Sequence, residues 1–286
     1  MDKRAFKAMM VKKTGRFFHF AVLVLFSFIM AVPFLWMLLT AFKTQAETTS
    51  INPFVIFPGQ WRMAAFADVM RKMNFGIIYF NTLALIAGRV LCAVITAAMA
   101  GYAFGRLMFR GRNICFSLVL IQMMVPNQIF IIPQYLMINR LGMFNTIFAL
   151  IFPGLVSAFG TFLMRQHFMT LPGEIEEAAL IDGCSIPQIF FFVMGPLVRS
   201  GITALGIFTA LFAFRDLLWP LIVNTAQNAM PISAALAKIQ GAYTGQFTRY
   251  PELMAASILG CLPMIIIYIL FQRRFIQGIA TSGGKL

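Results

Sequence analysis

Acidic residues are scarce: nine Asp and Glu stand against 23 Lys and Arg in 286 residues. Charged residues of both signs make up only 11% of the chain, whereas a soluble domain carries about 25%. No polar stretch is long enough to build a separate soluble domain. Histidine occurs twice, at His19 and His167, and nothing pairs either with a nucleophile. The four cysteines, Cys92, Cys115, Cys184 and Cys261, have neither metal-ligand nor disulfide spacing and read as small apolar fillers. No Gly-x-x-x-x-Gly-Lys-[Ser/Thr] stretch is present, and Gly283-Gly284-Lys285 has neither its spacing nor its following helix. The chain therefore has no phosphate-cradling loop of its own, and we expect no enzyme activity, metal or cofactor on it.

What is abundant is apolar sequence. Hydrophobic residues make up 60% of the chain, and the mean hydropathy is +0.84. An integral membrane protein is the class that fits. Apolar runs predict six spans at roughly residues 17–39, 77–104, 114–138, 144–164, 202–223 and 254–271, each near the ~20 residues needed to cross a bilayer. The first is too long for a signal-peptide core of about 7–15 residues, so it is expected to be retained. Pro126 and Pro133 are expected to interrupt the third, a break tolerated only where protein or water covers the freed backbone.

The net charge of +14 would raise nucleic acid as a partner in a soluble protein. Here the basic residues cluster at membrane edges, so the positive-inside rule explains them and no nucleic acid is expected. Lys3, Arg4, Lys7, Lys12, Lys13, Arg16, Arg106, Arg110, Arg112, Arg165, Arg199, Arg273, Arg274 and Lys285 all fall on one side. This places both termini in the cytoplasm. Residues 1–16 are an N-terminal tail, 17–276 the membrane domain and 277–286 a C-terminal tail. Residues 43–74 and 224–252 are expected outside, where Glu47, Asp68 and Glu252 dilute the basic residues.

Four of the nine acidic residues, Glu174, Glu176, Glu177 and Asp182, concentrate in one cytoplasmic stretch, residues 172–196. Pro172 can open a helix, whose first turns the glutamates suit by complementing its dipole. Ala178 and Ala179 are strong helix formers that permit close approach. Gly183 fits a left-handed stop. Ser185 and Gln188 form a capping-box pattern for a second helix, with Pro187 in its first turn. Pro196 should end or kink that helix.

This stretch resembles the cytoplasmic loop of importer-type ABC transporter permeases: Glu-Ala-Ala, three residues, Gly, nine residues, Ile-x-Leu-Pro. Glu177-Ala178-Ala179, Gly183 and Pro196 match. Val193 is a mild departure, and Gly195 in place of Leu is a larger one that bears on packing before the next span. The likeness covers most of the chain from about Phe17. It narrows to the carbohydrate-importer branch, in particular the second permease of the maltose and multiple-sugar type, through ordered segments. These are Asn81-Thr82, Ile132-Pro133-Gln134-Tyr135, Leu141 to Thr146, Arg165-Gln166-His167-Phe168, Leu218-Trp219-Pro220-Leu221 and Phe271-Gln272-Arg273-Arg274-Phe275.

The resemblance implies an all-α membrane protein of about six transmembrane helices with a cytoplasmic coupling helix, in the inner or plasma membrane. It implies a second, similar permease, two copies of an ATPase subunit carrying ATP and Mg, and a solute-binding protein outside. Glu176, Glu177, Ala178, Ala179, Asp182, Gly183 and Pro196 would couple to the ATPase. Gly241, Ala242 and Tyr243 would face the binding protein. The cargo would be carbohydrate, such as an oligosaccharide, with a polyol or glycerol-phosphate-type solute as the alternative. A secondary transporter working without ATPase subunits is the alternative of another class. The ordered acidic loop and the lack of a visible internal repeat weigh against it.

Polar residues within the spans are candidates for the cargo pathway: Arg89, Gln122, Asn127, Arg215 and Asp216. Intramembrane charges face a cavity or pair with one another. Arg89 and Arg215 would suit an anionic cargo, because a guanidinium fork matches a carboxylate. Structural pairing is the favoured reading: Arg215 with a neighbour or snorkelling outward, Arg89 on backbone carbonyls. Gln122, Asn127, Gln128 and Gln134 serve helix–helix hydrogen bonding equally well.

Overall fold

The computed structural model describes residues 3–50, 55–242 and 249–283, and side chains within 18–50, 55–241 and 249–272. The described residues are helical and turn structure throughout, without strands. They divide into two compact units.

The first unit comprises Met1–Met73 and Gln240–Leu259. Helix α1 (Lys3–Ala41) already covers most of the predicted N-terminal tail. Its candidate membrane span, Phe18–Ala41, has a mean hydropathy of 2.6, and its most apolar stretch is left bare by this chain, while Thr40 and Ala41 at its end are buried. A helix apolar on every side with no cover from its own chain needs lipid or a partner helix around it. Thr44 caps the short helix α2 (Gln45–Thr48), and Glu47 returns to accept from the Thr44 N–H. Glu47 also accepts from Gly59 N–H at 2.8 Å, and these amide donors hold its carboxyl below the usual range. Lys43 donates to Val55 O and lies over the Trp36 ring. Helix α3 (Ala64–Lys72) buries Ala65 and Val69, and its Lys72 joins Arg249 in pairing with Glu252.

The second unit comprises Asn74–Ile239 and Gly260–Leu286. Its elements are α4 (Phe75–Arg106), α5 (Arg112–Met124), a 3₁₀ turn (Asn127–Phe130), α6 (Ile131–Arg140), α7 (Ile147–Ile151) and a second 3₁₀ turn (Phe152–Gly154). Then come α8 (Ala158–Met169), α9 (Gly173–Ile181), α10 (Ile186–Gln188), a π-helical turn (Ile189–Met194), α11 (Gly195–Leu197), α12 (Arg199–Arg215) and α13 (Leu218–Val223). Helices α14 (Ile232–Ala242) and α15 (Tyr250–Gly283) follow, and α15 runs past the predicted C-terminal boundary at residue 276. Among the described residues, three helices are long and apolar enough to cross a membrane, and six spans result if each bent pair counts as one.

Helix α4 is the axis of this unit. Asn74 caps its start, and small residues on one side, Ala93, Ala97 and Gly101, let α8 press against it. A Cβ at Gly101 would lie 2.6 Å from Met164 Cβ and 2.7 Å from the Arg165 backbone nitrogen. A Cβ at Gly160 would meet Ala97 Cβ at 2.9 Å. Small residues on both helices permit this approach, the usual route to helix association in lipid, where dispersion contacts replace the hydrophobic drive.

Prolines break the spans in ways the apolar runs did not reveal. The fifth span was expected to be continuous over 202–223, but α12 stops at Arg215 and α13 begins at Leu218. Pro220 has no N–H for Asp216 O, and its ring would strike that carbonyl in a continuous helix. Ser233 Oγ donates to Asp216 O instead, at 2.7 Å. The fourth span, expected continuous over 144–164, bends by 51° between residues 147–154 and 158–169. Pro153 removes the donor to Ala149 O, and Trp219 Nε1 supplies it at 2.7 Å. The third span breaks by 99° at Pro126 as expected. Pro133 causes no break, because it stands in the first turn of α6, where its missing N–H has no helical partner to lose.

Residues 224–252 were expected to form an external loop. Within that stretch, residues 224–232 are bonded into the second unit. Asn81 donates to Asn228 O and Met230 O, and Thr82 Oγ1 accepts from Ile232 N–H at 2.9 Å. Asn224, Met230, Ile232 and Ala234 are buried. Helix α14, which follows, buries Ile232, Ala234 and Ala235.

Candidate functional site

The acidic stretch folds as a helix, a reversal and a second helix. Pro172 is the residue before α9, and Glu174 and Glu176 occupy its first turn. At the other end Gly183 takes φ +81°, and its N–H bonds Leu180 O while Cys184 N–H bonds Ala179 O. This is a Schellman stop, which satisfies the terminal carbonyls and turns the chain. Gln188 then accepts from Ser185 N–H and Oγ–H, each at 2.8 Å. Residues 189–194 form a π-helical turn in which Gly195 N–H reaches Phe190 O. A Cβ at Gly195 would lie 2.8 Å from that oxygen, so the departure from leucine at this position sits at the wide turn. After Pro196 and Leu197 the path bends by 79° into α12.

The helix α9 has two distinct sides. Inward, Ala179 is buried and Ile175 packs on a core of Met164, Phe168, Ile189, Met194 and Val198. Glu176 also turns inward. Its Oε1 accepts from Tyr102 Oη at 2.7 Å, and its Oε2 pairs with Arg106 Nε at 2.7 Å. Outward, Glu177, Ala178 and Asp182 are exposed, beside Leu180 at 53% and Ile181 at 86% exposure. The residues grouped by the motif thus separate: Glu176 and Ala179 hold α9 to the protein, and Glu177, Ala178 and Asp182 share an open side with two bare aliphatic residues. Gly183 and Pro196 are exposed at the two turns.

The intramembrane charges are brought together in part. Arg89, in the middle of α4, donates through Nε to Leu150 O at 2.9 Å, and its Nη2 lies 2.7 Å from Asp216 Oδ2. Its stem packs on Gly154, where any Cβ would stand 2.6 Å from Arg89 Cγ. One guanidinium therefore serves the broken fourth span and the broken fifth span at once. Thr96 adds a donor to Leu155 O at 3.1 Å. Arg215 is not part of this cluster. It is exposed at the end of α12 and makes no side-chain hydrogen bond or ion pair among the described residues. Gln122 and Asn127 lie exposed at the 99° break. Gly241 and Ala242 end α14, and Tyr243 lies outside the described residues.

Sequence reasoning missed Tyr102, Arg106, Thr96 and Trp219. Arg106 counted only as a cytoplasmic charge. Two spans separate it from the glutamate it meets, which left no pattern to detect.

Against this geometry, the profile of the family described as "binding-protein-dependent transport system inner membrane component" matches residues 90–281. The chain belongs to this family. The permease is 31% identical to the arabinooligosaccharides transport system permease protein AraQ of Halalkalibacterium halodurans, over 96% of its own length and 100% of that protein. It is also 31% identical to the sn-glycerol-3-phosphate transport system permease protein UgpE of Pectobacterium atrosepticum, over 80% of its own length and 84% of that protein. In fold, it matches a chain of a bacterial ABC transporter involved in import of the acidic polysaccharide alginate. The TM-score is 0.75 at 21% identity, covering 96% of this chain and 98% of that one. The permease is thus an all-α, multi-pass membrane subunit of an ABC importer, a transport component.

Proposed function

We propose that this permease forms half of the translocation pathway of an ATP-driven, binding-protein-dependent importer for carbohydrate, such as an oligosaccharide. A second, similar permease supplies the other half, and a solute-binding protein delivers cargo from outside. Two copies of an ATPase subunit carry the ATP and Mg and dock on the cytoplasmic side, where both termini of this chain lie. The observation that carries the reading is the open side of α9. Leu180 and Ile181 are bare beside Glu177 and Asp182, on a helix whose opposite side is firmly packed. An exposed aliphatic pair ringed by carboxylates, on a loop written Glu-Ala-Ala…Gly, is a surface built for a protein partner.

The oligosaccharide reading is supported by the full-length likeness to AraQ. A glycerol-phosphate-type solute is the second reading, supported by the likeness to UgpE. Arg89 is paired with Asp216, so an anionic cargo would draw on Arg215, which has no side-chain partner among the described residues. Uptake of labelled neutral oligosaccharide, acidic oligosaccharide and glycerol phosphate by cells carrying the whole importer separates these. Arg215→Gln should lower uptake of the acidic compounds alone, and selectivity unchanged from the wild type removes the anionic reading.

Docking is tested by gentle extraction of tagged permease from its native membrane, beside a Glu177→Arg, Gly183→Leu variant. The wild type is expected to bring a second permease and the ATPase subunit, and the variant to lose the ATPase. Purification of the permease alone, or retention of every partner by the variant, refutes the docking and revives a transporter that works without ATPase subunits.

A further inference from the structure

We infer that Arg106, Tyr102 and Glu176 form a clamp that fixes the coupling helix α9 to the end of α4, making α4 a direct recipient of force applied at the cytoplasmic surface. This rests on the proposed docking of the ATPase on the outer side of α9 and adds to it the route by which motion leaves that helix.

Apart from the clamp, α9 is held by the apolar packing of Ile175 and Ala179 and by two joints. One is the turn from α8 through Thr170, Leu171 and Pro172. The other is the Schellman stop at Gly183 and the turn that follows it. Apolar contacts are non-directional and turns bend, so on their own they let part of a push on the helix be absorbed as sliding and bending. The guanidinium of Arg106 bridges the first joint at three points. Its Nε pairs with Glu176 Oε2 at 2.7 Å, Nη1 donates to Leu171 O at 3.1 Å, and Nη2 donates to Pro172 O at 3.3 Å. Tyr102, one turn earlier on α4, donates to the other oxygen of the same carboxylate. A rigid, planar cation holding a carboxylate and two carbonyls from separate positions cannot be replaced by a flexible ammonium without losing points of attachment. The group is shielded, with the Arg106 and Glu176 side chains 13% and 16% exposed, so solvent screens it less than a surface pair.

The consequence is mechanical. Helix α4 runs unbroken from Phe75 to Arg106, and at its middle Arg89 holds the breaks of the fourth and fifth spans. A displacement of α9 fixed at Arg106 therefore reaches both broken spans through a single rigid helix. It does not have to travel only along the chain through α8 and α12. Tyr102, Arg106 and Glu176 are positioning residues: none needs to touch the ATPase or the cargo.

The test uses the complete importer, purified with its partners and reconstituted with binding protein and cargo. Uptake and ATP hydrolysis are measured together in Arg106→Gln, Arg106→Lys, Glu176→Gln and Tyr102→Phe, with the Glu177→Arg, Gly183→Leu variant alongside. The clamp variants should keep the ATPase subunit, because the outer side of α9 is unchanged. Their uptake per ATP hydrolysed should fall by roughly 2- to 30-fold, the range for residues along a coupling route. The loss should be largest for Arg106→Gln, smaller for Arg106→Lys and smallest for Tyr102→Phe. An unchanged ratio in Arg106→Gln overturns the clamp. Loss of the ATPase from the clamp variants, matching the Glu177 variant, also overturns it by making these residues part of the docking surface. Should Arg106→Gln not reach the membrane, Arg106→Lys and Tyr102→Phe decide by the same ratio. If the Glu177 variant retains the ATPase while the clamp variants are uncoupled, the docking site is misplaced but the clamp stands.

Discussion

Replacing Arg89 by methionine isolates the energetics of the intramembrane cluster. At 2.7 Å, Arg89 and Asp216 attract by about 6 kcal/mol if the effective dielectric is about 20. Stripping water from each ion costs several kcal/mol, so the pair is close to neutral as a whole. Removing one partner is another matter. Asp216 would be left without its cation in a low-dielectric setting, and Leu150 O would lose its donor. Breaking a buried pair costs about 3–5 kcal/mol, and because Asp216 is 22% exposed we expect about 2–4 kcal/mol here. For a protein of this size that lowers the thermal unfolding midpoint by roughly 4–8 °C. The double variant Arg89→Met, Asp216→Leu removes both charges but still leaves Leu150 O without its donor, so it should lie about 1–3 kcal/mol below the wild type and no lower than Arg89→Met alone. The assay is thermal unfolding of the purified permease complex in one detergent, across the four corners of the cycle. A double variant that falls by the sum of the two singles refutes the reasoning, since it would mean that the charges do not stabilise one another.

Gly101→Leu should be far worse than its surface analogues. Its side chain would begin inside Met164 and the Arg165 backbone, so we expect at least about 3 kcal/mol of destabilisation and little protein in the membrane fraction by immunoblot. Trp219→Phe keeps the apolar bulk but removes the Nε1 donor to Ala149 O, leaving a buried carbonyl unsatisfied at a cost of about 1–3 kcal/mol, read as a lower unfolding midpoint. Gly183→Ala meets no atom within 4 Å, so its cost is backbone strain alone, about 1–2 kcal/mol. Gly183→Asn should cost less than alanine in the same unfolding assay, because asparagine tolerates φ near +80° better.

Hydropathy was enough to establish a membrane protein with up to six crossings, because lipid selects for long apolar runs whatever the helices later pack against. The acidic loop was legible to nearly residue resolution. Its helix, its glycine stop and its capping residues are local devices, set by neighbours within four positions. Pro126 was legible as a break for the same reason. The bends at Pro153 and Pro220 were not, although both prolines were in view. Whether a proline breaks a span depends on whether something distant takes up the freed carbonyl, and here Trp219 and Ser233 do so from other elements. The segment 224–232 read as loop because its own composition is polar, while Asn81 and Thr82, far away in sequence, supply the bonds that bury it.

The sequence by itself determined the class, the approximate extent of the apolar spans and the local form of the acidic loop, since these follow from composition and from spacing along one helix. Tertiary structure alone decided what each charge does. Arg89 is neutralised by Asp216, Glu176 faces inward to Arg106 and Tyr102, and Glu177 remains open. The physical reason is distance. An ion pair between residues 89 and 216, or between 106 and 176, exists only because packed small residues bring separate helices together, and no local pattern encodes which charges will then meet.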